Sequence, residues 1–268
     1  MSICYYNGQF VKADEISISI DDRSYKYGDA VFDTLAFFNG KIFNYNFHAK
    51  RISAALKAVN IKADIPDVFA ELITKNKLTD GFIRIHVSRG DYSKGYLALN
   101  KCKPNILIEA KPRTKQNHNS FKLKVSPYKK IPLECLPSNY KTGNSLNSSL
   151  ALMDAHKSKT NEAIQLSIEA YVCECASANI FWIKNRVIYT PSLDLPVLDG
   201  SIRNWIVKNY KVKQGKYKLP VLLHADEVFI TNVNLLIQPV TNIKHGKGYS
   251  YDNGKLAGEL LEKLRECL

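Results

Sequence analysis

Apolar positions along the chain recur with two periods, and the two periods mark out helices and strands. Over residues 46–60, Ile52, Ala55, Leu56 and Val59 share one face of a 3.6-residue repeat, which predicts an amphipathic helix. Short apolar or alternating runs at 17–20, 31–38, 82–87 and 106–108 predict strands, so the first third reads as an α/β unit. Residues 111–120 hold no apolar side chain apart from Pro112 and form the expected linker. Beyond it, strands are predicted at 121–125, 163–167, 179–183, 186–190, 227–231 and 237–240. Helices are predicted after Lys141, where Leu146, Leu150 and Met153 form an apolar stripe, after Ser201, and after Gly254 with Leu256, Leu260, Leu261 and Leu264. Asn144, Ser145 and Asn147 are candidate caps for the first of these. The expected organisation is mixed α/β, with a small N-terminal α/β domain over 1–116 and a larger C-terminal domain over 117–268 carrying Lys141.

Composition supports well-buried interiors: 268 residues at 45% hydrophobic content suit one or two globular domains. No run of eighteen apolar residues occurs, and the first residues carry neither a basic leader nor an apolar core of a signal peptide. A soluble cytoplasmic protein without a membrane partner is expected. The six cysteines, at 4, 102, 135, 173, 175 and 267, form no C-x-x-C pair and no zinc spacing, which predicts reduced thiols and no metal. A formal charge of +13 and the lysine run over 208–218 raise nucleic acid as a partner. A solvated helix end and loop explains that run equally well, and zinc-finger and RNP patterns are absent. A basic nucleic-acid-binding module is therefore the remote alternative, and a small anionic substrate the preferred partner.

Candidate chemistry lies in two stretches, Lys141-Thr-Gly-Asn-Ser-Leu and Cys173-Glu174-Cys-Ala-Ser-Ala-Asn179-Ile-Phe-Trp. Lys141 sits at a loop-to-helix junction and could hold an aldehyde cofactor. Glu174 falls among small and apolar residues, where a carboxylate needs a partner. That partner is either a lysine or arginine in a salt bridge or the protonated nitrogen of a pyridine ring. Arg51, three residues after His48 on the first helix, is either a surface charge or a planar grip for phosphate. Gly200 and Ser201 open a helix, so they form either a plain capped turn or an anion site at free backbone N–H groups. No G-x-S-x-G, G-x-G-x-x-G or Walker A pattern occurs, which leaves serine-nucleophile, nicotinamide and nucleotide chemistry unsupported.

Taken in order, these motifs resemble the class IV, or fold type IV, pyridoxal phosphate enzymes: branched-chain and D-amino acid aminotransferases and aminodeoxychorismate lyase. Asp22-Arg23-Ser-Tyr-Lys-Tyr27-Gly28-Asp29-Ala-Val-Phe32-Asp33-Thr34 is similar to their N-terminal motif, with Ala30 in place of the usual glycine and Asp33 where glutamate is common. The resemblance implies that Lys141 is the Schiff-base lysine and that Glu174 partners the pyridine nitrogen. It implies Arg51, Ser201, Ile202, Asn232 and Val233 as phosphate contacts. Asp226-Glu-Val-Phe-Ile-Thr231-Asn232-Val233 and Gln238-Pro-Val240 match the last phosphate-side segment, with Val233 replacing a hydroxyl residue.

Glu174-Cys-Ala-Ser-Ala-Asn-Ile-Phe-Trp182, Tyr189-Thr-Pro-Ser-Leu-Asp194 and Ser88-Arg-Gly-Asp-Tyr-Ser-Lys94-Gly-Tyr96 look most like aminodeoxychorismate lyase, although Lys94 stands where arginine is usual. The resemblance implies a pyridoxal 5'-phosphate cofactor and pyruvate elimination to give 4-aminobenzoate, a step of folate biosynthesis. Amino acid transamination is the alternative. Tyr27, Phe32, Arg89, Lys94 and Tyr96 become substrate-pocket candidates, and the family pattern implies a homodimer with the site between the domains.

Overall fold

A computed structural model describes residues 2–91, 93–98, 101–113, 120–251 and 254–268. Two compact units result, one from Met1–Lys115 with Tyr140–Asn144, the other from Gln116–Asn139 with Ser145–Leu268.

The first unit contains strands β1 (Ile3–Tyr6), β2 (Gln9–Lys12), β3 (Ala30–Phe38), β4 (Lys41–Ile42), β5 (Gly81–Ser88), β6 (Ser93–Lys94), β7 (Leu97–Ala98) and β8 (Asn105–Pro112). Its helices are α1 (Arg23–Tyr27), α2 (Tyr45–Ala58) and α3 (Phe69–Lys75). Six strands form one sheet in the order β2-β1-β8-β5-β3-β4, antiparallel throughout. Alternation along a strand sends Val31, Leu35 and Phe37 to one face with Ile83, Ile85, Val87 and Ile108, where Ile52, Ala55 and Leu56 of α2 join them in the core. The same alternation puts Asp33 on that buried face and leaves Phe32, Thr34 and Phe38 half-buried on the other.

Lys141 departs from the expected domain, because residues 140–144 belong to the first unit. Phe32 N donates to Lys141 O (2.9 Å), Gly143 N donates to Ala30 O (2.8 Å), and Val31 forms an antiparallel bridge with Thr142. Tyr140 packs on the first core. The segment thus satisfies backbone groups of β3, and that ladder decides where the lysine sits.

The second unit holds β9 (Lys122–Val125), α4 (Leu146–Lys157), β10 (Glu162–Leu166), β11 (Val172–Cys175), β12 (Asn179–Lys184), β13 (Val187–Pro191), α5 (Ser201–Asn209) and β14 (Val212–Gly215). It continues through α6 (Leu219–Leu223), β15 (Glu227–Asn232), β16 (Leu236–Val240), β17 (Asn242–Lys244), β18 (Tyr249–Ser250) and α7 (Lys255–Arg265). Its two five-stranded sheets run β11-β10-β9-β17-β18 and β14-β13-β12-β15-β16. Leu123, Ile164, Val172, Ile180, Trp182, Val228, Ile230 and Val240 form the core they share.

Several expectations change. Residues 17–20 are not a strand, and Ile18 and Ile20 are exposed. Residues 111 and 112 end β8, while 114–119 of the expected linker lie outside the described residues. Helix α4 forms where the periodicity placed it, with Ser145 at its N-cap, but it buries a different face. Leu146 is 71% and Met153 56% exposed, whereas Ala151 and Ala155 are fully buried against Ala163 of β10. Small side chains let the helix approach the sheet closely, so the large ones turn outward.

Enlarging that contact should be costly. Ala155→Leu is expected to destabilise the protein by about 1–3 kcal/mol through overpacking. Met153→Lys should stay within about 0.5 kcal/mol of the parent. Urea unfolding midpoints compare the two, and equal effects would refute the assigned face.

Candidate functional site

Asp22 shapes the start of the first unit's polar cluster. Its Oδ1 accepts from Ser24 N (2.7 Å) and Ser24 Oγ (2.6 Å), capping α1, while Oδ2 accepts from Ser88 Oγ (2.6 Å) and Asn105 Nδ2 (2.7 Å). Burial raises its carboxyl, but these donors outweigh it and hold the acid below its ordinary value. Helix α1 then stops at Gly28, whose φ of 65° is left-handed and whose missing Cβ leaves room for Asn144. Asn144 Nδ2 donates back to Gly28 O (3.1 Å). This contact and the β3 bridge fix the backbone from Lys141 to Asn144.

Buried Arg23 donates through Nε to Asp29 Oδ2 (2.7 Å) and through its terminal nitrogens to Gly95 O (3.2 Å) and Tyr96 O (3.0 Å). It therefore ties the β6–β7 hairpin to α1. Tyr27 lies over Arg23 and meets Tyr96 with ring centroids 5.3 Å apart, while Tyr96 itself is 87% exposed. Lys94 is exposed on the same hairpin. Arg89 is engaged elsewhere: Nε and Nη2 bind Asp29 (2.7 and 2.9 Å), and its terminal nitrogens donate to Asn60 O and Val59 O at the end of α2 (2.7 and 2.6 Å). Burial opposes ionisation of Asp29, and the two arginines overcome it.

Asp33 answers the demand its buried strand position creates. Arg51 of α2 donates to it through Nη2 and through Nε (3.3 Å), and His48 Nδ1 lies 3.0 Å from Oδ2. Burial pushes the Asp33 carboxyl up, yet Arg51 and His48 bring it down to about 2. Burial pushes the His48 imidazole down. Arg51 is thus no loose surface charge.

The Phe32 ring meets two cationic side chains. Lys141 Nζ stands 5.0 Å and Arg84 Cζ 4.8 Å from its centroid. Arg84 was invisible to motif reading, although alternation along 82–87 sets it on the Phe32 face, paired with Thr34. The first unit therefore brings together Lys141 with Phe32, Tyr27 with Tyr96, and Arg51 with Asp33.

The second unit builds its own cluster around Glu174. Lys130 Nζ donates to Oε1 (2.8 Å), while Asn179 Nδ2 and Leu198 N donate to Oε2 (both 3.0 Å). A salt bridge to lysine, one of the two readings of Glu174, is present. It is compatible with the other, because a carboxylate offers about four acceptor positions and these donors fill three. Asn179 Nδ2 also donates to Leu198 O (2.7 Å), and its Oδ1 occupies the space a Cβ on Gly200 would need. Glycine is required there for the start of α5 to close on Glu174.

At that helix start Ser201 Oγ is buried without a protein partner, and so is Thr231 Oγ1 at the end of β15. Ile202 follows in the first turn, whose N–H groups have no partner inside the helix. Asp199, which would repel an anion, is neutralised by Arg203 Nη1 (3.2 Å), itself held by Gln214 Oε1 (2.7 Å) and Pro191 O (3.2 Å). Asn232 Nδ2 donates to Ser177 O (3.2 Å) and its Oδ1 accepts from Asn234 N and Leu235 N (2.9 and 2.7 Å). That turn fixes the backbone at Val233. Among the described residues no cluster of histidine, cysteine, aspartate and glutamate could hold a metal, and no helix is long and apolar enough to cross a membrane.

A family model described as amino-transferase class IV matches residues 30–243. The chain belongs to this family, whose members are pyridoxal phosphate-dependent enzymes, and it is one of them. It is 31% identical to aminodeoxychorismate lyase of Bacillus subtilis (strain 168), over 96% of this chain and 91% of that one. It is 32% identical to a putative branched-chain-amino-acid aminotransferase of Methanocaldococcus jannaschii, over 98% and 93%. The solved T.th. branched-chain amino acid aminotransferase with pyridoxamine 5'-phosphate aligns with a TM-score of 0.89 at 25% identity, covering 99% of this chain and 93% of that one. Mixed α/β fold type IV architecture is thereby established.

The residues present fit the cofactor. Two buried hydroxyls without protein partners, together with a helix N-terminus, suit a phosphate. One remaining acceptor position on Glu174 suits a protonated ring nitrogen.

The Asp33 pair gives a pH test. A carboxyl held at about 2 rather than 3.8 contributes on the order of 2 kcal/mol. Its folded value is the lower, so the contribution is complete above about pH 4 and disappears as pH falls through about 2. The parent should exceed Asp33→Asn in urea stability most at neutral pH, with the gap narrowing in that acid window; a constant gap would contradict the pairing.

Proposed function

We propose that the chain is an aminodeoxychorismate lyase-like enzyme, eliminating pyruvate from a small anionic amino-group substrate and releasing 4-aminobenzoate. The observation that carries this reading is Glu174, whose carboxylate is anchored by three donors and keeps one acceptor position, beside a helix start with an unpartnered buried hydroxyl. The relationship to the B. subtilis lyase supports the choice of reaction. Amino acid transamination is the second reading, favoured by the similar identity to the branched-chain enzyme.

Pyridoxal 5'-phosphate, when bound, supplies an aldehyde for a primary amine and a ring that accepts the electron pair left by proton removal. Lys141 Nζ is the amine that anchors that aldehyde and moves the substrate proton. Glu174 holds the proton at the ring nitrogen. The N–H groups of Ser201 and Ile202, the Ser201 and Thr231 hydroxyls, and the backbone at Asn232 and Val233 bind phosphate, and Arg51 adds its charge. Phe32 sets the position of Lys141 Nζ. Arg84, Lys94, Tyr27 and Tyr96 meet the substrate, with Arg84 and Lys94 attracting its carboxylates.

The proposal extends to a cytoplasmic homodimer. Six free cysteines suit a reducing compartment. Exposed Ile18, Ile20 and Tyr25 line a hollow of about 310 Å³ and suit a second copy of the chain.

Purified protein should show the visible absorbance of bound cofactor, and borohydride should trap it on Lys141. Given aminodeoxychorismate, it should release pyruvate with no keto-acid acceptor present. A requirement for an acceptor would sink the lyase reading in favour of transamination. Lys141→Ala should abolish either reaction, and an active Lys141→Ala protein would refute both.

A further inference from the structure

Lys130 belongs to none of the motifs above, yet its ammonium is buried and bonded to the most consequential carboxylate of the second unit. The side chain is 9% exposed and Nζ lies 2.8 Å from Glu174 Oε1. Isolating an ammonium from water is costly, so the ion pair with Glu174 accounts for its burial. The backbone around it is prebuilt for this contact. Lys130 N donates to Leu166 O (2.9 Å), Asn147 Nδ2 to Lys129 O (3.2 Å), and Gln165 Nε2 to Tyr128 O (3.3 Å). Gln165 is the residue opposite Glu174 in the β10–β11 ladder, so the loop carrying Lys130 and the strand carrying Glu174 are set against the same residue.

We propose that Lys130 is a positioning residue for the cofactor ring: its buried ammonium fixes Glu174 Oε1 and supplies the compensating charge, so that the acceptor position left on the carboxylate is presented to the ring nitrogen. The inference rests on the cofactor role of Glu174. Without a cation beside it, a buried carboxylate is left uncompensated and free to turn away from the ring. The other groups near Glu174 do not substitute. Burial pushes the Cys173 thiol up to about 12 and raises Cys175 as well, so both stay neutral. Buried Arg203 feels the charge of Glu174, but its hydrogen bonds go to Asp199, Pro191 and Gln214, and among the described residues none reaches Glu174. Asn179 and Leu198 N orient Oε2 but carry no charge.

The test is cofactor binding to the stripped full-length protein, read by absorbance titration with pyridoxal 5'-phosphate and by the pH dependence of the bound absorbance band. Lys130→Met should weaken binding about tenfold or more, the scale on which partners that orient a ligating group act, and displace the pH titration of the band. Lys130→Arg should recover most of both. In a Glu174→Gln background, Lys130→Met should change affinity by no more than about twofold, because no charge remains for it to hold. Should Lys130→Met fail to melt cooperatively, Lys130→Gln, which keeps a donor to Oε1 without the charge, is measured in its place with the same expectation for the pH titration. Wild-type affinity and an unchanged titration in the Lys130 variants, or equal losses with and without Glu174→Gln, would overturn the inference while leaving the cofactor reading intact. Failure of the unaltered protein to take up the cofactor would overturn both.

Discussion

A carboxylate on the buried face of a strand must find a cation or several donors, and Asp33 and Glu174 meet that demand in ways that organise the structure around them. In the first unit Asp33 recruits Arg51 and His48 from α2 and so fixes the helix that covers β3. In the second, Glu174 recruits Lys130, Asn179 and Leu198 N and so draws one loop and the start of α5 onto β11. The desolvation of each acid is large, and only the geometry seen offsets it. The pairs are part of the fold, and in the proposed function they are also the part that chemistry uses.

Much of this was legible in the chain. Regular elements with a strong period were readable, including α2, β3, β5 and most strands of the second unit, since burying one face fixes their pattern. The faces and partners were less so. Helix α4 was read from its large apolar side chains, while packing selected Ala151 and Ala155, because closeness of approach and not hydrophobicity governs that contact. Strands β1 and β2 went unread although Asn7-Gly8, both with positive φ, is a hairpin signal. The short apolar run at 17–20 had strand composition but no neighbour to pair with.

The same division holds for the site. For the proposed site, ordered motifs point to Lys141, Glu174 and the Gly200 turn. They do not point to Arg84 and Lys130, because each acquires its meaning from a neighbour distant in sequence: Arg84 from the ring of Phe32, Lys130 from a carboxylate 44 residues away. Arg89 looked like a substrate residue by its place in a motif, and the structure commits most of its donors to Asp29 and the end of α2. Motif membership selected the region, and only the surrounding donors and acceptors separate staple from ligand.

The short segment around Lys141 has a further consequence for how the molecule is made. Tyr140–Asn144 completes the first unit, although the residues on either side of it belong to the second. During synthesis the first unit's sheet therefore stays without the strand-like segment that satisfies Phe32 N and Ala30 O until residue 144 has left the ribosome. The closure that delivers the lysine is a long-range one, joining residues 140–144 to β3 across more than a hundred residues of chain.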